Sequence, residues 1–333
     1  MMPNGHMLDL RRLRLLHELH RLGTVSAVAD ALSYSPSTVS QQLRVLEREA
    51  GTPLFEPAGR RVRLTDAAIV LAEHAGRLLA GAERAEADLA AAAAGAIEGV
   101  VRVGSFQTAS LRLLLPAMNA LRESHPGVRV RLVEAEPEPA LEALRSHALD
   151  LVLADEWAGT PHPRRPGLER EDLFTEPLRV ALPSVHPLAA AGGPVALGAL
   201  AGEAWATGYP GGGMAALVRR VCNEHGGFEP DVRHETNELT MLLGLVAAGH
   251  AVTLLPDLAL VGDVTGVAVR PVADTRLTRT LFTAVRAGAD RRPALAAVRA
   301  AIKAVRPPGP SGGAHGCAGA SPRAASRAWP PTQ

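Results

Sequence analysis

The sequence predicts an α+β multidomain chain: a small N-terminal helical unit closed by a charged strand, one long helix, and a larger α/β region in two lobes. Three observations carry this prediction. Leucines recur at helical spacing from Leu10 to Leu22, and Val39, Leu43 and Leu46 repeat the pattern after Ser, Thr and Pro punctuation. An alanine-rich stretch without proline follows from Asp66 to Ala94. Beyond Gly99, apolar runs of strand length alternate with helical stretches as far as Val305. The 333 residues suffice for two or three domains with cores of their own.

In the first unit, Leu10, Leu13, Leu16, Leu19 and Leu22 mark one helix that Gly23 ends. Ser26 is placed to cap a short second helix with Val28, Ala29 and Leu32 facing inward. Ser35 is a good N-cap for a third, and Pro36 suits its first turn. With Val39, Leu43 and Leu46 buried, Pro36, Ser37, Ser40, Gln41 and Arg44 are left on another face. Short polar side chains let a helix approach base edges, and Ser or Gln can donate and accept there. After the apolar pair Leu54-Phe55 and then Gly59-Arg60, Arg61 and Arg63 alternate with Val62 and Leu64, the pattern of a strand with one charged face. Such a wing sets arginines against phosphates or in a minor groove. A helical unit that only binds protein has the same helix pattern; the wing argues for double-stranded DNA. The formal net charge is only +1, and residues 8–66 hold nine arginines against seven acidic residues, so the basic side must be local.

The string Ser26-x-x-Ala29-x-x-Leu32, Ser35, Val39-Ser40-Gln41-Gln42-Leu43-x-x-Leu46-Glu47, Gly51-x-x-Leu54-Phe55 and Arg60 to Thr65 resembles the LysR-type DNA-binding signature. The resemblance is dense over the N-terminal domain and looser beyond it. It implies a winged helix-turn-helix at residues 8–66, with Ser35, Pro36, Ser37, Ser40, Gln41, Arg44, Arg60, Arg61 and Arg63 toward DNA. The chain departs from the family at Glu56-Pro57, where a basic residue is usual, and at Ala68, where glycine is usual.

Within the alanine-rich stretch, Leu71, Ala75, Leu78, Ala82, Ala85, Leu89 and Ala92 alternate spacings of four and three, a heptad seam. A helix of roughly 28 residues would span about 40 Å. Packing on its own domain is one use of that stripe. The sustained seam favours dimerisation through Leu71, Leu78, Ala82, Ala85 and Leu89. The resemblance likewise implies a linker helix, at residues 67–94, that pairs two copies into a homodimer or homotetramer.

The third region opens with a strand at Val100 to Gly104. A helix from Ala109 to Ser124 follows, with Leu111, Leu114, Leu115, Met118 and Leu121 inward. Then come a strand to Glu134, a helix over 141–147 and a strand over 149–154. This βαβαβ order predicts a parallel sheet covered by helices. The pattern shifts at Leu178 to Pro183. A second unit continues with a strand at 232–236, a helix at 238–248 and a strand at 251–255. Strands at 266–272 and 279–285 and a helix at 293–304 return to the first unit. The layout resembles a two-lobed periplasmic-binding-protein fold, the family's effector domain: residues 99–305, with lobe I at 99–178 and 267–305 and lobe II at 179–266. Ligands in open α/β sheets sit beyond the strand C-termini. That places Ser105, Phe106, Gln107, Thr108, Glu134, Tyr209, Thr236 and Asn237 as candidate effector contacts. The hydroxyls and helix N–H groups at 105–108 suit an anion, although capping alone also explains Ser105 and Thr108. The glycines 211–213 read equally as a plain loop. The Pro/Gly/Ala/Ser-rich residues 306–333 read as a disordered tail.

Other classes lack their signatures. There is no phosphate loop and no HExxH; in His17-Glu18-Leu19-His20 the second histidine falls one position short. Cys222 and Cys317 form neither a metal pair nor a disulfide framework. No catalytic residue, metal or cofactor is expected. With neither a signal-peptide core nor an apolar run of about 18 residues, a cytoplasmic chain outside the membrane is expected. The resulting reading is a transcriptional regulator answering to a small molecule, with RNA polymerase as a further partner open to it. An architectural DNA-binding protein whose α/β region only oligomerises is the alternative.

Overall fold

The computed structural model describes residues 7–58, 61–93, 95–161, 165–260 and 265–305. Three helices, α1 (Leu10–Leu22), α2 (Val25–Leu32) and α3 (Pro36–Ala50), precede a hairpin of β1 (Phe55–Ala58) and β2 (Arg61–Leu64). The Asp9 carboxylate accepts the N–H groups of Arg11 and Arg12 to start α1, and Gly23 ends it. The cap of α2 is Thr24, whose hydroxyl accepts the Ala27 N–H; Ser26, expected there, lies inside the helix. Threonine serves as well as serine, so the sequence does not decide between them. Leu13, Leu16, Val28, Ala29, Val39, Leu43, Leu46 and Leu54 close one core.

The long helix α4 (Asp66–Ala92) is a single 27-residue element capped by Thr65. Its first turns contribute Ala68, Ala72 and Ala75 to the N-terminal core, and Leu71 packs against that core. Leu71 is therefore spoken for within its own domain, because Ala68, Ala72 and Ala75 turn this end of the helix toward α1. Farther along, Leu78 and Leu89 are 49% and 71% exposed. Ala85 is exposed and Ala82 half-buried.

The remaining chain runs β3 (Glu98–Ser105), α5 (Gln107–Ala109), a π turn (Ser110–Leu114), α6 (Leu115–Ser124), β4 (Gly127–Glu134), α7 (Pro137–Arg145), β5 (Leu151–Trp157) and β6 (Leu168–Pro183). It continues with α8 (Pro187–Ala190), β7 (Ala204–Thr207), α9 (Gly213–Val221), β8 (Asp231–Glu235), α10 (Leu239–Ala247), β9 (Thr253–Pro256), β10 (Val267–Pro271), β11 (Thr278–Arg286) and α11 (Pro293–Ala304). The parallel set of lobe I is limited to β3, β4 and β5. β11 joins it antiparallel, between β5 and β6, so the sheet is mixed rather than parallel throughout. β6 is 16 residues long and serves both lobes. Up to Pro177 it pairs with β11; from Leu178 onward it pairs with β9 and β10.

The π turn corrects the expected face of the 109–124 helix. One extra residue in that turn rotates α6 about its own axis. Leu113, Leu114, Ala117 and Leu121 are buried, while Leu111 and Leu115 are exposed. A second π turn at Cys222–Gly226 ends α9 and holds Cys222 in the lobe II core, where burial pushes its thiol up to about 12.

The far half of α4 docks on the effector-side lobe. Glu83 is buried there, 2.9 Å from Arg286 Nε and 3.0 Å from Arg292. His147 lies 3.3 Å from the same carboxylate; burial, then Arg286, Arg14 and Arg292, push the imidazole down to about 3, so it is neutral. Gly288 touches the helix directly. Its φ of +87° favours glycine, and a Cβ there would stand 2.5 Å from the Ala80 carbonyl oxygen.

Candidate nucleic-acid interface and interlobe cleft

Ser35 caps α3, its hydroxyl accepting the Thr38 N–H at 3.1 Å and lying 2.8 Å from the Ser37 hydroxyl. Pro36, Ser37, Gln41 and Arg44 are exposed and Ser40 is partly so, on the side away from Val39, Leu43 and Leu46. The wing is fixed to this helix by Glu47, which belongs to the family string but to which the string alone assigns no role. Glu47 accepts the N–H groups of Leu54 (2.8 Å) and Phe55 (3.1 Å) at the start of β1. Two bonds to one carboxylate, each worth about 1.5–3 kcal/mol, set the wing's angle to α3. Arg61 and Arg63 lie in β2; Arg60 lies outside the described residues. Arg63 is ion-paired across the hairpin with Glu56.

A cleft of about 640 Å³ separates the two lobes. Phe106, Gln107, Thr108, Tyr209, Thr236 and Asn237 all line it. Ser105 does not. It is fully buried, and its hydroxyl donates to the Phe106 carbonyl. Glu134 is exposed at the end of β4 and is not part of the lining either. Both end their strands one step short of the turn that faces the other lobe.

Several lining groups already have partners. Gln107 spans the lobes: its amide donates to Glu238 at 2.9 Å and accepts the Leu239 N–H at 3.0 Å. Thr236 accepts the Glu238 N–H, and Asn237 accepts that of Tyr209. The floor holds a group legible only in three dimensions. Arg279, 3% exposed, reaches Glu176 (Nε, 2.9 Å) and Asp155 (3.0 Å), with the Phe106 and Trp157 rings each 5.3 Å from its guanidinium carbon. Trp157 also explains Gly213, where a Cβ would meet its ring at 2.4 Å. Loop flexibility is not the reason for that glycine. Glu136 is hydrogen-bonded to Asn237, and its carboxyl is held above the usual range by burial and then by Asp155.

Comparison with known proteins places these two regions in one family of regulators. Residues 10–69 match the model for the bacterial regulatory helix-turn-helix protein, lysR family, and residues 94–307 match that of the LysR substrate binding domain. The chain belongs to the LysR family. This regulator is 30% identical over 256 residues to the HTH-type transcriptional regulator TfdS of Cupriavidus pinatubonensis, covering 75% of this chain and 82% of that one. It is 31% identical over 219 residues to the RuBisCO operon transcriptional regulator of Allochromatium vinosum, covering 66% and 70%. A variant of full-length OxyR from Pseudomonas aeruginosa shares the fold with a TM-score of 0.58 at 23% identity, over 90% of this chain and 99% of that one. The protein is thus a DNA-binding transcriptional regulator with a C-terminal domain that responds to a small molecule. Among its described residues no helix is long and apolar enough to cross a membrane.

Within this regulator, Glu56 stands where the resemblance implies a cation, and its carboxylate is paired with Arg63, one of the expected phosphate contacts. Exposed pairs contribute only about 0–1 kcal/mol. Glu56→Gln is therefore expected to raise DNA affinity roughly two- to fivefold at low salt, with the gain shrinking as salt rises. A fluorescence titration at two ionic strengths checks this; an unchanged or weakened affinity would show that Arg63 makes no contact with the duplex.

Among the described lining residues the cleft carries Glu136, Glu138 and Asp155 and one guanidinium, Arg279. Asp155 and Glu176 pair with Arg279, and Glu138 pairs with Arg165. These carboxylates stand beside helix N-termini that by themselves favour an anion by about 0.3–1 kcal/mol.

Proposed function

We propose that this LysR-type regulator binds a two-fold DNA site as a homodimer joined through α4, and that an effector held in the interlobe cleft changes how the two recognition helices sit. The reading of sequence falls to Pro36, Ser37, Ser40 and Gln41, and phosphate contact to Arg44, Arg60, Arg61 and Arg63. Its single supporting observation is the polar, unburied face of α3 beside a wing that Glu47 ties to the same helix. Gln41→Ala is expected to cost about 1–3 kcal/mol on the cognate site and almost nothing on random DNA. Equal losses on both would remove Gln41 from base reading.

For the cleft, the fixed carboxylates and three aromatic side chains, Phe106, Trp157 and Tyr209, favour an effector carrying an amine or another protonated nitrogen. Glu136→Gln is expected to weaken binding of such a ligand roughly tenfold, on the scale of one charge-assisted hydrogen bond. Since the Glu136 carboxyl is held above its ordinary range, it protonates early as pH falls, and amine affinity falls with it. A thermal-shift panel of amines and carboxylates at two pH values checks both points. A carboxylate that binds wild type better than any amine would sink the charge assignment while leaving the cleft as the site. A footprint unaffected by any ligand found would favour an architectural role.

A further inference from the structure

We propose that the junction of the DNA-binding domain, the linker helix and the effector domain is a second binding site, built for a small phosphate-like polyanion. The proposal is independent of the interlobe cleft.

A cavity of about 660 Å³ opens where α1, α4, α7 and the end of β11 meet. Five guanidiniums face it, against three carboxylates. Two of those carboxylates are taken. Glu18, 5% exposed, receives both the Nε (2.9 Å) and a terminal nitrogen (2.6 Å) of Arg21. Glu83 receives Arg286 and Arg292. The third, Glu73, is exposed on α4, as is Arg77, which turns to His74. Arg14 and Arg145 remain. Arg14 donates to the Ser146 carbonyl at 2.7 Å, and among the described residues neither arginine forms an ion pair.

Both are half-buried, and both are held below the ordinary guanidinium range. Burial is the main cause for each; for Arg14 Glu18 opposes it and Arg286 adds to it, and for Arg145 Arg21 adds to it while Glu18 and Glu142 oppose it. Burial, with the same arginines, keeps His147 neutral. Guanidinium does not give up its proton at these shifts. The junction therefore keeps positive charge that is partly dehydrated and that nearby carboxylates, already shared with Arg21, Arg286 and Arg292, only partly balance. A phosphate group supplies the missing charge and accepts the paired N–H donors of a guanidinium fork. Arg14 belongs to α1 and Arg145 to α7. An anion bound to both would tie the DNA-binding domain to the effector domain.

The test uses the full chain without DNA, titrated with inorganic phosphate and then pyrophosphate, against sodium chloride at matched ionic strength. Thermal unfolding and calorimetry should show saturable binding with a midpoint rise of a few degrees, tighter for pyrophosphate. Arg14→Gln and Arg145→Gln should each weaken it at least tenfold. Arg219→Gln, in the other lobe on an exposed arginine paired with Glu229, should leave it unchanged. Stabilisation that chloride reproduces, or that survives both junction substitutions, would overturn the proposal. A repeat with duplex DNA already bound separates the junction from the recognition surface: retained phosphate binding supports the junction, and competitive loss refutes it.

Discussion

Leu78→Asp together with Leu89→Asp is expected to convert the regulator to a monomer and to weaken cognate DNA binding by about 10²–10⁴-fold. The magnitude is that of losing the second, intramolecular binding event when two modules are no longer linked. Both side chains are large, apolar and exposed on one protomer, so aspartate there leaves the protomer's own fold intact. In a paired seam each becomes a carboxylate without a partner, costing several kcal/mol. Sedimentation gives the oligomeric state and a binding titration the affinity. A double variant that stays dimeric and binds DNA as wild type would mean that the copies associate elsewhere. The exposed Leu111, Leu115, Leu132 and Val133 of lobe I would then be the next surface to substitute.

The second large effect is expected at Arg279. Arg279→Met removes the cation between Asp155 and Glu176, which are 7% and 5% exposed in their side chains. Breaking a buried pair on one side costs about 3–5 kcal/mol, which for a domain of this size lowers the unfolding midpoint by roughly 10 °C. The penalty depends on pH with a definite sign. Burial already holds the Glu176 carboxyl above its ordinary value, and Arg279 is what opposes that shift. Without Arg279 the folded-state value rises further. Between the ordinary and the raised value the folded variant binds more protons than the unfolded chain, so its stability falls as pH rises and recovers as pH drops. Adding Asp155→Asn and Glu176→Gln should restore most of the loss, since glutamine keeps the oxygen that accepts the Leu258 N–H at 2.7 Å. A single variant that melts within a degree of wild type would show the triad to be energetically idle.

These two sites differ in how far the sequence alone discloses them. The recognition helix is a local matter: its cap, first-turn proline and apolar stripe lie within fifteen residues, and the family string overlays them. The seam is local too, although Leu71 shows that one apolar stripe can serve two partners in succession. Arg279, Asp155 and Glu176 are brought together from three strands separated by 21 to 124 positions, and each alone reads as an ordinary charge in a strand. For the same reason the apolar pattern starts β6 only at Leu178. Residues 168–177 carry Glu169, Arg170, Glu171 and Asp172, which hide a strand whose pairing with β11 is continuous apart from one bulge. The hydroxyls and helix starts that suggest an anionic effector are visible in the sequence. The carboxylates that share the cleft with them are assembled only by the fold.

The long helix has a mechanical meaning. One end is built into the core of the DNA-binding domain through Ala68, Ala72 and Ala75, and its middle, at Ala80 to Arg84, is clamped at Gly288, Arg286 and Arg292. From the clamp to Asp66, at about 1.5 Å per residue, it is a rigid lever about 26 Å long. A tilt of about 8° at the clamp swings the far end by about 3.5 Å. Ten base pairs occupy about 34 Å, so that swing equals one base-pair step. A movement of the lobe too small to alter any hydrogen-bond partner can thus carry a recognition helix from one register on the duplex to the next.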